Sequence, residues 1–256
     1  MDATLSIYAA GSLKSVFNFL FPLFTAATGV AIDATFGPAG LLAERIKHGA
    51  HVDFFASANC AHPIVLEQLG LAEQGQIFAH NQLCLVMRDD IMVRGQSWLP
   101  LLSSRTMKLS SSTPGKDPGG DYVQQFFDRI ARWDPQLAMQ LRERTLPLVG
   151  GSLDSETSLY TPTIPAGVHL VLTHQSDIHI GYANHIATMR AIRGVHVVEI
   201  PEHDNIQATY RYTVLKPALS AAIHFGQFLI SAPIQQILRE YGFIPIENLT
   251  DETPPY

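Results

Sequence analysis

Three places in this chain join a strand-like segment to a helix-like one through glycine, serine or proline, and each has the makings of an anion cradle. The first is Ala9-Ala10-Gly11-Ser12-Leu13, where Gly11 lets a ligand approach the backbone and Ser12 adds a hydroxyl to its own N–H. The second is Phe36-Gly37-Pro38-Ala39-Gly40, whose free N–H groups at Ala39 and Gly40 point along a helix axis. The third is Asp117-Pro118-Gly119-Gly120-Asp121. A helix start leaves backbone donors unsatisfied and carries about half a positive charge. Three of them meeting at one point would hold an oxyanion with no Lys or Arg. Taken singly, each also reads as an ordinary helix cap.

Other chemistries find less support. The chain has 11 histidines. His169, His174, His179 and His185 are five or six residues apart, which does not put two imidazoles on one helical face. No His-x-x-x-His or Cys-x-x-Cys pair occurs. His179, between Ile178 and Ile180, reads as a strand residue. There is no Gly-x-Ser-x-Gly elbow, no Walker loop and no Gly-x-Gly-x-x-Gly. Ser12 has no base visible in the sequence. Cys60 precedes a helix start, which would lower its pKa, although a buried or incidental thiol is the plainer reading.

The elements that must position these residues alternate. Strands are expected at Leu5–Ala9, Val30–Phe36, Val52–Ala58, Leu83–Met87, Lys108–Ser111, Ile178–Tyr182, Val195–Ile200 and Thr209–Leu215. A helix runs from a Ser12 cap to about Ala27, with Leu13, Val16, Phe17, Leu20 and Phe24 on one face and a kink at Pro22. Pro38 suits the first position of the next helix. A third helix, Pro63–Leu69, ends at Gly70. The Gly/Pro-rich turn from Thr113 to Gly120 opens a helix with Tyr122, Val123, Phe126, Phe127 and Ile130 on one face. Gly150 to Thr163 reads as polar loop. Helices follow at Pro165–Thr173, Ala218–Ile230 and Pro233–Tyr241, the last capped by Ser231 and ended by Gly242. Such alternation implies α/β architecture with mainly parallel sheets, and ligands beyond the carboxyl ends of strands.

Composition narrows the field. The 256 residues suffice for one or two domains, and 46% apolar content excludes a mostly disordered chain. Lys and Arg total 17 against 23 Asp and Glu, a net charge of -6. The absence of a basic stretch argues against a nucleic-acid or anionic-membrane surface, and an anion would need local backbone donors. No window is apolar enough for a membrane span. Two cysteines, Cys60 and Cys84, make neither a disulfide framework nor a metal quartet. Met1-Asp2-Ala3 leads straight into a strand with no signal peptide, as in a cytosolic protein or a mature chain with an added Met.

In order along the chain, these segments resemble the periplasmic molybdate-binding proteins of bacterial ABC importers. Tyr8-Ala-Ala-Gly-Ser-Leu13 is similar to that family's first ligand loop. Phe36 to Ile46, Gly49 and Asp53-Phe-Phe-Ala-Ser-Ala58 are similar to its second helix and third strand. Asp117-Pro-Gly-Gly-Asp-Tyr122 resembles its Pro-Ala-Gly turn. Ser176-Asp-Ile-His-Ile-Gly-Tyr182 and Phe228 to Leu238 with Tyr241-Gly-Phe243 resemble its later strand and C-terminal helix. The resemblance implies a type II periplasmic-binding-protein fold: two α/β lobes, residues 1–82 with 207–256 and residues 83–206, closing on a ligand in the cleft between them.

It also implies a ligand set: Ser12, with Gly11 beside it, Ala39, the backbone donors of Gly119 and Ile164, and the hydroxyl of Tyr182. At Ala39 the family has a serine, so one hydroxyl bond is missing, worth about 1.5–3 kcal/mol unless another donor such as Asn59 replaces it. The ligand would be a tetrahedral oxyanion such as molybdate or tungstate, with no cofactor and no catalysis. The partner would be a membrane permease rather than nucleic acid, and the protein a periplasmic monomer. Other readings stay open: a metal-ion-binding or organic-anion-binding protein of the same fold, an enzyme on the same scaffold, or a sensing domain.

Overall fold

The computed structural model describes residues 4–91, 95–153 and 164–246. Most of the expected polar loop, from residue 154 to 163, and the expected lobe's last ten residues, 247–256, lie outside them. In chain order the elements are β1 (Thr4–Ala10), a 3-10 turn (Gly11–Leu13), α1 (Lys14–Thr28), β2 (Ala31–Gly37), α2 (Ala39–Lys47), β3 (Phe54–Ser57), α3 (Ala61–Gln68) and β4 (Gln76–Asn81). There follow β5 (Leu83–Arg88), α4 (Trp98–Ser103), β6 (Leu109–Ser112), α5 (Pro118–Ala131), α6 (Pro135–Arg144) and β7 (Thr145–Val149). The chain continues with α7 (Ala166–Leu172), β8 (Ile178–Tyr182), α8 (Ile186–Arg190), β9 (Val195–Glu199), β10 (Ala208–Val214), α9 (Ser220–Ile230) and α10 (Ala232–Glu240). The chain divides into two compact units, residues 1–81 with 209–256 and residues 82–208.

Unit 1 is built on a five-stranded sheet in the order β2-β1-β3-β10-β4. β1 pairs in parallel with β2 and β3, because each connection crosses over through a helix, while β10 runs antiparallel to β3. Leu13, Val16, Phe17, Leu20 and Phe24 are all buried, as the 3.6-residue spacing requires. Phe17 and Phe24 meet Phe225 of α9 edge-on, at 5.8 and 5.1 Å. The helix continues through Pro22 and ends on Gly29, whose φ is 72°.

Unit 2 has its own five-stranded sheet, β7-β6-β8-β5-β9. β6 is parallel to β7 and β8, and β5 antiparallel to β8 and β9. Both sheets are therefore mixed: a parallel trio joined to an antiparallel neighbour, β10 in the first and β5 in the second, where strand-helix alternation alone suggested mainly parallel ones. The apolar face of α5 is wholly buried, from Tyr122 to Ile130.

Candidate functional site

In unit 1 the sheet register assembles the first two cradles. Ala10 pairs with Gly37 at the carboxyl ends of the parallel strands β1 and β2. The Gly11–Leu13 turn and the start of α2 at Ala39 therefore leave the sheet side by side. β3 is the other neighbour of β1, with Ala56 opposite Ala9, so Asn59 lies just beyond the same edge. Ser12 is not a helix cap: Leu13 holds that position, and no side chain caps α1. The Ser12 hydroxyl instead shares a 2.9 Å hydrogen bond with Tyr210 Oη. Asn81 Nδ2 donates to the same Oη at 3.3 Å. Tyr210 and Asn81 are buried and fix the serine from beneath.

Pro38 sits one position earlier than expected, as the N-cap of α2, and its carbonyl accepts the Leu42 N–H at 3.0 Å. No side chain caps α2 either. Asn59 spends its carbonyl oxygen locally, accepting the Ser57 hydroxyl at 3.1 Å and the His62 N–H at 3.2 Å. Its Nδ2 has no hydrogen bond among the described residues. Burial raises the Cys60 thiol above its ordinary value, outweighing the nearby Arg211, where a helix start suggested lowering. Both cysteines are free.

In unit 2 the third cradle is already occupied by its own side chain. Asp117 caps α5 and its Oδ1 accepts the Gly119 N–H at 2.9 Å. The Gly120 N–H goes to the Asp117 carbonyl at 2.9 Å. The Gly119 donor expected to meet a ligand is thus engaged by a carboxyl group. Burial pushes that carboxyl up to about 6, against the pull of Gly119 N–H and the Ser112 hydroxyl. Gly150 makes room for it: at φ +70°, a Cβ there would lie 2.6 Å from Asp117 Oδ2.

Tyr182 ends β8, its ring T-shaped to Tyr122 at 6.5 Å. Ile164 is half-buried against the cluster of Cys84, Val86 and Val168. Tyr182 and Ser112 line a cavity of about 60 Å³ that lies within unit 2. Its wall includes His179, the residue that sequence reasoning placed correctly on a strand but not in a site.

Ser110 pairs with His179 across β6 and β8. Ser110 Oγ donates its one proton to Ser176 Oγ at 2.9 Å and lies 2.9 Å from His179 Nδ1. Nδ1 must therefore carry the proton and donate to Ser110, leaving Nε2 as a bare acceptor. Burial holds the ring neutral, at about 4. Among the described residues no group of three His, Cys, Asp or Glu is placed to hold a metal ion.

Residues 5–244 match the family of bacterial extracellular solute-binding proteins, and the chain belongs to it. It is 34% identical over 248 residues to the uncharacterized protein PM1146 of Pasteurella multocida, covering 94% of this chain and 99% of that one. It is 21% identical to the molybdate-binding protein ModA of Escherichia coli, covering 94% of this chain and 89% of ModA. Among solved structures, the sulfate-binding protein SubI of Mycobacterium tuberculosis superposes with a TM-score of 0.77 at 17% identity, covering 96% and 88% of the two chains. The type II periplasmic-binding fold is thereby established for this chain. Among the described residues, no helix is long and apolar enough to cross a membrane.

Proposed function

We propose that this extracellular solute-binding protein captures a small solute through an oxyanion group and hands it to the permease of an ABC importer, as a carrier and not a catalyst. The observation that carries this reading is the β1–β2 register, which sets the Ser12 turn beside the uncapped start of α2. Gly11, Ser12 and Ala39 then offer backbone N–H groups and one hydroxyl, anchored through Tyr210. Uncapped helix starts favour an anion without any basic side chain. To Asn59 Nδ2 we assign the bond that the hydroxyl missing at Ala39 would have made. From unit 2 we assign the Tyr182 hydroxyl and the backbone N–H of Ile164, the Gly119 N–H being spent on Asp117.

Molybdate and tungstate are the first candidates, by the relation to ModA. One observation favours a small organic anion that also carries a hydrogen-bond donor: Gly119 N–H is already bound by Asp117, whose carboxylate can only accept. Titration calorimetry with molybdate, tungstate, sulfate and L-malate tests both. Ser12→Ala should weaken the best ligand about ten- to a hundredfold, the worth of one hydrogen bond to a charged group. Failure of every anion to bind would end this reading.

A further inference from the structure

The cavity in unit 2 is chemically unlike an oxyanion hole. Cys84 and His185 line it together with His179. Burial pushes the Cys84 thiol up to about 12 and the His185 ring down to about 4, so both are neutral at pH 7. No group lining the cavity is cationic. An anionic oxygen drawn against His179 Nε2 would set lone pair against lone pair, with no cation to offset its lost hydration.

His179 is 6% exposed, and among the described residues its Nε2 has no hydrogen-bond partner. The proton on Nδ1 is held by the Ser110–Ser176 chain, so Nε2 offers a lone pair to the cavity. Two glycines make room for the ring. A Cβ on Gly167 would lie 2.2 Å from His179 Cδ2, and one on Gly181 3.1 Å from Nε2. About 60 Å³ accommodates about four waters, or a ligand fragment of a few heavy atoms.

We infer that the solute is a small organic anion bearing a hydroxyl or N–H beside its carboxylate or phosphate, and that this neutral donor enters the cavity and bonds to His179 Nε2. The inference rests on the solute-binding reading above and sharpens it. A bare tetrahedral dianion has only lone pairs, and these cannot pair with another lone pair. An analogue lacking the donor leaves Nε2 to the cavity's water and forgoes that hydrogen bond, and sites built to pair a substrate hydroxyl discriminate against such analogues.

The test is calorimetry on the full chain with matched probes: L-malate against succinate for carboxylates, glycerol 3-phosphate against propyl phosphate for phosphates, and molybdate and sulfate as bare oxyanions. The expected result is that one hydroxylated probe binds at least about tenfold tighter than its deoxy partner and than either bare oxyanion. The pair that shows the preference identifies the anionic group. His179→Asn keeps an N–H for Ser110 but removes the Nε2 acceptor, and should bring the ratio to about one. His179→Gln reaches the Nε2 position with a carbonyl oxygen and should restore part of it. Equal binding of hydroxylated and deoxy probes by the wild type overturns the inference, and so does a ratio unchanged in a folded His179→Asn. Tight molybdate or sulfate binding without that preference leaves the solute-binding reading intact and removes this one. No binding of any anion removes both.

Discussion

Replacing Asp117 with Asn should stabilise the protein above pH 7 and leave it nearly unchanged near pH 4. Asn is as good an N-cap as Asp, so the amide oxygen keeps the Gly119 N–H that Oδ1 now accepts at 2.9 Å. Ser112 turns from donor to acceptor, as a hydroxyl can. What changes is the charge. Burial moves this carboxyl from 3.8 to about 6, so the folded protein holds its proton more tightly than the unfolded chain. A raised pKa contributes stability that is present below 3.8 and lost as pH climbs through about 6. At 1.36 kcal/mol per pH unit, the wild type gives up about 3 kcal/mol across that interval, and Asp117→Asn does not. Urea unfolding of both proteins from pH 4 to pH 8 gives the difference directly. It should grow with pH and level off above 7. A flat difference, or a wild type more stable at pH 8, would show that the N–H groups stabilise the carboxylate more than burial penalises it.

Three more perturbations have defined outcomes. Glu67 grips Arg211 through contacts of 3.0 to 3.2 Å and accepts the Gly75 N–H at 3.0 Å. With both side chains about 85% buried, Glu67→Ala should cost unit 1 about 3 kcal/mol in urea, and a salt series that abolished the loss would contradict this. Gly226→Ala puts a Cβ 2.7 Å from the Tyr212 ring, which stacks on Phe54 at 5.0 Å and has nowhere to retreat. It should cost about 1–3 kcal/mol, read as a lowered Tm. His179, held near 4 against an ordinary 6.5, contributes stability present above 6.5 and lost as pH falls towards 4, about 3 kcal/mol in all. His179→Asn should flatten that part of the acid limb, and an identical acid limb in both proteins would refute the buried neutral ring.

The parts of the fold readable in the sequence were those with strong local periodicity. The apolar faces of α1 and α5 follow a 3.6-residue spacing, and every residue named on them is buried. β4 and β7 escaped notice because both are edge strands, where the demand for a buried alternating pattern is relaxed. β7 even contains Pro147, which an edge tolerates and a central strand does not. Ser12 stood out by its turn chemistry, but its partner Tyr210 lies 198 residues away and carries no local mark of its role. His179 looked like a strand residue and is one. Its acceptor nitrogen becomes visible only once Ser110, itself bonded to Ser176, is brought to Nδ1 on the other edge of the ring.

Three junctions that look alike in sequence differ in what caps them. α1 and α2 have no side-chain cap, so their backbone donors and dipoles face outward and suit an anion. The start of α5 has Asp117, and the same N–H that would greet a ligand is closed onto a carboxyl group. An anion approaching there must displace that group or meet it protonated, and protonation sets in as pH falls through about 6. On the proposed reading, helix starts in unit 1 select for charge, while Asp117 and His179 in unit 2 select for a donor. A solute satisfying both carries an anionic group and a hydrogen-bond donor. Anion affinity that rises as pH drops from 7 to 5 in the wild type, but not in Asp117→Asn, is the signature of that division. The same affinity at both pH values in both proteins would mean that Asp117 never meets the solute.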